Sequence, residues 1–138
     1  MDTKQTEHVR ALAQEHSRAE DVRDLAATMA TLVAEPVYEF QPMGRIMRGR
    51  ELVEAYYEHL FTRFIPSAVG ARTIDAWCNE TSFAEEYDID LRIDDRVERH
   101  RVLGIVLVSG DRISGERIWG SERVLRLMIG DEIYDRLE

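Results

Sequence analysis

The sequence predicts an α+β fold in which helices cover one face of a curved antiparallel sheet. In the first third of the chain, apolar residues recur at helical spacing. Beyond Pro66 the pattern changes to alternation with a period of two, which is typical of strands. The pairs Asp94-Asp95 and Gly110-Asp111 read as short turns between the last three alternating stretches, so those strands are expected to run antiparallel.

Three helices are predicted before the long strands. The first covers His8 to His16. The second covers Asp21 to Val33 and stops at Pro36, because proline has no N–H with which to continue a helix. Its apolar residues lie three and four positions apart and form one apolar face. The third helix covers Arg50 to Phe64 and ends at Pro66.

The predicted sheet begins with two short strands, at Val37–Phe40 and around Ile46–Met47, which are joined by a turn. Four longer strands follow the third helix, and the tail is expected to form a short helix or a closing segment. The longer strands are Arg72–Asn79, Ser82–Ile93, Val97–Ser109 and Arg112–Trp119, and the tail segment is Glu122–Ile129.

The composition predicts one soluble domain over residues 1–138. Nucleic acid is excluded as a partner, because the formal charge is −9 and nucleic-acid binding needs clustered positive charge. No apolar stretch reaches the ~18–20 residues of a membrane span, and the N-terminus has no signal-peptide pattern. We therefore expect a cytoplasmic protein with no membrane partner.

Residues that commonly hold metals and cofactors are sparse. Cys78 is the only cysteine, so a disulfide and a cysteine metal cluster are both excluded. His8, His16, His59 and His100 are scattered over several predicted elements without the spacing of metal ligands. The sequence has no glycine-rich phosphate-binding loop. We expect neither a metal nor a cofactor.

The two short turns determine which residues lie opposite each other in the last three strands. The first turn places Asp88 opposite Arg101, and the second places Leu103 opposite Ile118. A register error of one residue at either turn would exchange the two faces of a strand, because successive side chains alternate.

Under this register both faces of the strands are chemically mixed, so one is expected to meet the helices and the other a second subunit. On the first face Glu85 and Arg117 flank Gly104 and are expected to form an ion pair. On the second face two carboxylates and a guanidinium lie above an aliphatic floor, which is a combination suited to acid/base chemistry. The first face comprises Phe83, Glu85, Tyr87, Ile89, His100, Val102, Gly104, Val106, Arg117 and Trp119, and the second comprises Ala84, Glu86, Asp88, Asp90, Arg101, Leu103, Ile105, Leu107, Glu116 and Ile118.

The order of these elements resembles the nuclear transport factor 2-like superfamily, and within it the SnoaL-like proteins. This group includes polyketide cyclases, limonene epoxide hydrolases and ketosteroid isomerases. The stretches that carry the resemblance are Tyr38–Gly44, Gly49–Glu51 and Arg112–Trp119. The resemblance implies a single SnoaL-like domain with a cone-shaped curved antiparallel sheet, of the cystatin-like type, covered by three N-terminal helices.

The resemblance also implies a pocket on the concave sheet face and a homodimer through the convex face. It places the second face in the pocket, and Tyr87, Val102, Arg117 and Trp119 on the dimer surface. The predicted ligand-pocket residues are Phe40, Gln41, Tyr56, Trp77, Leu103, Ile105, Glu116 and Ile118.

Several carboxylates of the family are replaced in this chain. Gln41 and Leu103 stand where the isomerases carry their two carboxylates, so ketosteroid isomerase activity is not expected. Asp88 matches the first aspartate of the epoxide hydrolases. Glu86, however, stands in place of their arginine, and Ile118 in place of their second aspartate.

These residues lead to the hypothesis of a cofactor-independent isomerase, cyclase, dehydratase or hydrolase that acts on a small lipophilic molecule. Asp88 would be the general base, Glu86 its protonated partner and Arg101 the group that orients them. Tyr38 would donate a hydrogen bond to a developing oxyanion. The alternative is a non-catalytic ligand-binding or dimerisation module of the same fold, in which the acidic residues are a solvated strand face paired with arginines.

Overall fold

The computed structural model describes residues 3–138. Asp24 caps the second helix by accepting a hydrogen bond from the Ala27 N–H, and Ser121 caps the fourth by accepting one from the Val124 N–H. A π-helical turn at Leu60–Phe64 and a 3₁₀ turn at Ile65–Ser67 extend the third helix. The helices are α1 (Thr3–Asp21), α2 (Leu25–Ala30), α3 (Arg50–His59), α4 (Glu122–Ile129) and α5 (Asp131–Tyr134).

The six strands form one curved, open sheet in the order β2-β1-β6-β5-β4-β3. The predicted α+β class is confirmed, but the sheet is mixed rather than wholly antiparallel. The correction arises at β1, which runs parallel to β6 although the other neighbouring strands are antiparallel. The strands are β1 (Leu32–Gln41), β2 (Arg45–Arg48), β3 (Ala68–Cys78), β4 (Ser82–Ile93), β5 (Arg96–Ser109) and β6 (Arg112–Trp119).

The second helix ends earlier than predicted, because Leu32 and Val33 already belong to β1. Pro36 therefore lies inside a strand instead of stopping a helix. It falls where the β1–β6 register shifts, between the pairs at Leu32 and Val37. A proline is tolerated at such an irregularity, since no ladder hydrogen bond is needed from its nitrogen.

The β4–β5 hairpin has the predicted register, with Asp88 opposite Arg101. The β5–β6 register differs from the prediction by one residue, since Gly104 and not Leu103 lies opposite Ile118. The cause is a bulge in β6: Ile113 and Gly115 pair with consecutive residues of β5, which leaves the intervening residue extra. The two faces of β6 are therefore exchanged relative to the prediction.

Gly115 explains why the bulge forms at this point. A Cβ on Gly115 would overlap the carbonyl oxygen of Val37 on β1, so only glycine allows the two strands to approach this closely. The extra residue, Ser114, donates its hydroxyl to the carbonyl oxygen of Leu107. The shift in the β5–β6 register thus lies where β6 also contacts a third strand, β1.

The core lies between the helices and one face of the sheet. Its largest fully buried side chains include Tyr38, Phe40 and Tyr57, which pack edge to face with one another or with Tyr56. The opposite face of the sheet, here called the outer face, carries arginine–carboxylate pairs and exposed tryptophans. Within residues 3–138 no helix is long and apolar enough to cross a membrane.

Candidate active site

A cavity of about 370 Å³ lies between α1, α3 and the helix-facing side of the sheet. Such a volume falls within the range of small-molecule pockets, roughly 300–1,000 Å³. Most of its wall is aliphatic or aromatic, and its polar groups come mainly from the end of α1 and from β4 and β6. The lining residues are Ala13, His16, Ser17, Glu20, Asp21, Tyr56, Leu60, Phe64, Ile65, Ala68, Ala71, Phe83, Glu85, Tyr87, Ile89, Val102, Gly104, Val106, Glu116, Ile118 and Met128.

The predicted catalytic group Asp88, Glu86 and Arg101 lies outside this cavity, on the outer face. The lining residues of β4 are Phe83, Glu85, Tyr87 and Ile89, so the residues between them point the other way. The resemblance placed this face in the pocket, and a register error of one residue at β6 put Glu116 and Ile118 on the same face as Asp88.

On the outer face Asp88 is part of an ion-pair network. Arg101 donates two hydrogen bonds to its carboxylate, and Arg72 donates a third at 3.1 Å. Glu86 accepts a hydrogen bond from Arg101 at 2.9 Å. The hydrogen bonds from Arg101 and Arg72 lower the pKa of Asp88 to about 2. A carboxylate that holds its proton so weakly is a poor general base at neutral pH.

Tyr38 also takes a different place from the one predicted. It is fully buried in the core, and its hydroxyl lies 2.6 Å from the Tyr57 hydroxyl. It is not among the cavity-lining residues and cannot donate directly to a ligand there.

The predicted pocket residues divide into three groups. Tyr56, Glu116 and Ile118 line the cavity. Phe40 faces the helices but is fully buried in the core beside Tyr56. The remaining residues do not line the cavity and are on the outer face by strand alternation: Gln41, Trp77, Leu103 and Ile105.

Two of the four residues predicted for the dimer surface face the cavity instead. Tyr87 and Val102 line it. Arg117 is on the outer face, where it pairs with Glu39 at 3.0 Å and not with Glu85. Trp119 is also on the outer face and is 36% exposed.

At the polar end of the cavity is His16, which is only 1% exposed. Its Nδ1 lies 2.7 Å from the Thr31 hydroxyl oxygen, and that hydroxyl donates its single proton to the Thr28 carbonyl. Because the hydroxyl has no second proton to give, Nδ1 must carry the hydrogen of this bond. The other ring nitrogen, Nε2, is therefore the one that exchanges a proton with its surroundings.

Nε2 of His16 lies between two carboxylates. The Glu116 oxygen is 3.4 Å away and the Glu20 oxygen 3.5 Å away. The Glu116 side chain is only 12% exposed and that of Glu20 is 29% exposed. We call these three residues the His16 cluster.

Tyr57 connects the His16 cluster to the core. Its hydroxyl donates to Glu116 at 3.0 Å and lies 3.0 Å from Nε2 of His16. The Tyr38 hydroxyl donates to the Tyr57 oxygen, since the Tyr57 proton is already given to Glu116. This chain of hydroxyls fixes the orientation of Glu116 from behind.

The electrostatics of the cluster favour proton sharing near neutral pH. The pKa of Glu20 is raised to about 7, chiefly by burial. The charge of His16 lowers this pKa and the charge of Glu116 raises it. Burial lowers the pKa of His16, but the charge of Glu20 and the hydrogen bond and charge of Glu116 outweigh burial, so the net pKa of His16 is raised. Burial raises the pKa of Tyr57 well above its usual value, which keeps its hydroxyl a donor.

The His16 cluster is also the group that could hold a metal ion among residues 3–138, because its three ligand atoms lie within 4.8 Å of one another. The sequence has no metal-ligand spacing, and this grouping arises only from the fold. The same atoms already contact one another and the Tyr57 hydroxyl, so proton sharing accounts for their arrangement without an ion.

Two further tyrosines supply hydroxyl groups to the cavity wall. Tyr56 and Tyr87 line it, and neither hydroxyl makes a hydrogen bond to another residue of the described part of the chain. Burial raises the pKa of both, so both hydroxyls remain protonated and are able to donate to a ligand oxygen.

Sequence reasoning missed His16 and Glu20, although a signal was present. The two residues are four positions apart, a spacing that places them on one side of a helix. His16 also continues the buried stripe of Val9, Leu12 and Ala13. A histidine and a carboxylate at this spacing beside an apolar face indicate a polar group directed toward the core.

The fold is that of several solved structures. An epoxide hydrolase of the limonene epoxide hydrolase type from M. tuberculosis superposes with a TM-score of 0.64 at 18% identity, over 95% of this chain and 91% of that one. A nuclear transport factor 2-like protein from Burkholderia xenovorans gives 0.68 at 10% identity, over 91% and 98%. A Catenulispora acidiphila protein with a ketosteroid isomerase-like fold, solved in complex with trimethylamine, gives 0.62 at 14% identity, over 86% and 92%.

The chain therefore has the nuclear transport factor 2-like fold, as its resemblance implied. No protein-family model matches the sequence, and no curated protein matches it either. At identities below 25% the structural neighbours establish the fold alone, and the activity must be argued from the site.

Proposed function

We propose that this protein is an enzyme that transfers protons within a largely apolar cavity, acting on a small lipophilic substrate through the His16 cluster. The observation that carries the proposal is the buried imidazole of His16 between the carboxylates of Glu20 and Glu116, at one end of that cavity. Acid/base catalysis is most effective when the pKa of the group is near the working pH. The pKa of Glu20, about 7, meets that condition.

Glu20 is the proposed general base, because it is the carboxylate of the cluster with the raised pKa and it lines the cavity. His16 receives the proton that Glu20 removes, or shares it with Glu116. Tyr57 fixes the orientation of Glu116. Tyr56 and Tyr87 are the proposed donors to an oxygen on which negative charge develops. In this scheme the proton leaves the substrate on one side while hydrogen bonds stabilise the oxyanion on the other.

Elimination from 5-nitrobenzisoxazole tests the proposal, since it is a neutral, lipophilic substrate whose turnover needs one general base. The base removes the C–H proton, the N–O bond breaks and a coloured nitrophenolate forms. We expect turnover faster than with free acetate at the same pH, rising as pH increases through about 7 with the deprotonation of Glu20. Glu20→Gln should lower kcat/KM by about 100-fold or more, which is the usual contribution of a general base.

Asp90→Asn is the matched control, because it removes a carboxylate from the outer face of the same sheet, where Asp90 pairs with Arg99. Its rate should equal that of the unmodified protein. Equal rates for Glu20→Gln and Asp90→Asn would contradict the assignment of the base. A protein no faster than acetate would contradict acid/base catalysis in this cavity.

A second copy of this chain is the proposed partner for the outer face. This face exposes half of Trp77 and about a third of Trp119, and it includes the partly buried aliphatic residues Leu103 and Ile105. Aromatic residues and arginines are enriched at protein interfaces relative to the rest of a protein surface. Light scattering should give a dimer for the unmodified protein and a monomer for Trp119→Glu. A monomer before substitution, or a dimer after it, would contradict this partner.

A further inference from the structure

The cavity is strongly acidic as well as apolar. Four carboxylate residues line it: Glu20, Asp21, Glu85 and Glu116. His16 is the only basic residue that the described chain contributes to its wall, since no lysine or arginine of residues 3–138 lines it. The charges of Glu116, Asp21 and Glu85 all act on Glu20, which places the four carboxylates in one common field.

Several carboxylates of the outer face, unlike those of the cavity, have arginine partners. Asp88 and Asp90 each have an arginine partner within 3.1 Å, and so does Glu39. No ion pair in the described chain joins any of the four cavity carboxylates to an arginine or lysine. These outer-face carboxylates are thus paired with arginines, whereas the four cavity carboxylates have one histidine among them.

The apolar wall of the cavity also suits a cation. The rings of Tyr56, Phe64, Phe83 and Tyr87 all contribute to it. An ammonium group over an aromatic ring gains about 0.5–1 kcal/mol when exposed and about 2 kcal/mol when desolvated. The carboxylates extend from the exposed Asp21 to the nearly buried Glu116, so a positively charged ligand meets favourable potential from the cavity mouth inward.

We propose that the cavity takes a lipophilic organic cation, a protonated amine on an apolar body, whose charge lies among the carboxylates of Glu20, Glu85 and Glu116. This inference rests on the proposed function for the location of the site and specifies the substrate class. The ammonium group supplies the positive charge that the wall lacks, and the apolar body fills the aliphatic and aromatic part. Carboxylate and phosphate ligands are repelled by the same field.

A matched ligand series tests the proposal without any turnover. Benzylamine, benzyl alcohol and benzoate have the same ring and differ in charge. Titration calorimetry at pH 7 in EDTA should give benzylamine a Kd at least tenfold below that of benzyl alcohol, with no measurable binding of benzoate. Glu116→Gln should reduce the preference for the amine about tenfold or more, whereas Asp90→Asn should leave it unchanged.

A second variant locates the binding. Gly104 lines the cavity and a Cβ built on it meets no atom within 4 Å, so Gly104→Val places its side chain in cavity space. It should weaken both benzylamine and benzyl alcohol, and Ala71→Leu provides the same test from β3 if the first variant does not fold. Equal affinity for the amine and the alcohol would overturn the proposal, as would a preference that survives Glu116→Gln or binding that survives both cavity-filling variants.

The two proposals fail separately in these experiments. If benzylamine is preferred but 5-nitrobenzisoxazole is not turned over, the cavity is a cation-binding site without acid/base catalysis. If 5-nitrobenzisoxazole is turned over through Glu20 but benzylamine is not preferred, the catalytic assignment stands and the cationic substrate class is wrong.

Discussion

Replacement of Glu20 by glutamine should change how the stability of the protein depends on pH. In the folded protein the pKa of Glu20 is raised from 4.5 to about 7, chiefly by burial. The folded state therefore binds more protons than the unfolded state between these values. It follows that the free energy of unfolding decreases as pH rises through this range. The raised pKa of His16 acts in the same direction at the upper end.

The size of this change in the free energy of unfolding follows from the shift in the pKa of Glu20. Each pKa unit is worth about 1.4 kcal/mol, so the shift of Glu20 corresponds to at most about 3 kcal/mol between pH 4.5 and 8. Solvent screening of the 29% of its side chain that is exposed reduces this to about 2 kcal/mol. Glutamine at this position cannot titrate, and it also removes the carboxylate that helps to raise the pKa of His16. The variant should therefore lose clearly less stability over the same range.

Urea unfolding at pH 5 and pH 8 measures both free energies directly. The matched control is Glu54→Gln, the same substitution at an exposed position of α3. The control should keep the pH dependence of the unmodified protein, and only Glu20→Gln should flatten it. If Glu20→Gln and Glu54→Gln showed the same loss between the two pH values, Glu20 would not have the raised pKa on which the acid/base argument depends.

Three further predictions concern single positions. Gly115→Ala should lower the free energy of unfolding, measured with urea, by about 3 kcal/mol or more. The alanine methyl group would overlap the Val37 carbonyl and force the strands apart. An unchanged stability would refute the close approach of the two strands. Tyr57→Phe should cost about 1–3 kcal/mol in the same assay, since it removes the hydroxyl that donates to the nearly buried Glu116; a loss below the experimental error would argue against this hydrogen bond. Asp88→Asn should be less stable at pH 7 and should show a smaller fall in stability than the unmodified protein as pH drops from about 4 toward 2, because the depressed pKa of Asp88 contributes stability that is complete only above that range; an identical acid unfolding curve would contradict the ion-pair network.

Most of the fold was predictable because its determinants are local. The turn at residues 94–95 sets the register of β4 on β5, and the observed pairing of Asp88 with Arg101 is the predicted one. The bounds of β4 and β6 also follow from their alternating pattern. These features depend on turns and on the alternation of neighbouring residues, both of which can be identified in a single sequence.

The side of the sheet on which β6 places Glu116 was not predictable in the same way, because β6 also pairs with a third strand. The bulge before Gly115 forms where β6 meets Val37 of β1, and nothing in the turn at residues 110–111 signals it. One extra residue in β6 moved Glu116 to the opposite face from Asp88. The candidate site therefore changed from an arginine-paired carboxylate group to the His16 cluster, although every strand had been found.

The central claim is that ligand chemistry belongs to the cavity and not to the outer face. The most direct measurement is a map of NMR chemical-shift changes, over backbone and side chains, as benzylamine is titrated into the labelled protein. The largest changes should fall on His16, Tyr87 and Gly104, which line the cavity. If they fall instead on Asp88 and Arg101, with the cavity residues unmoved, the site lies on the outer face and the account given for the His16 cluster is wrong.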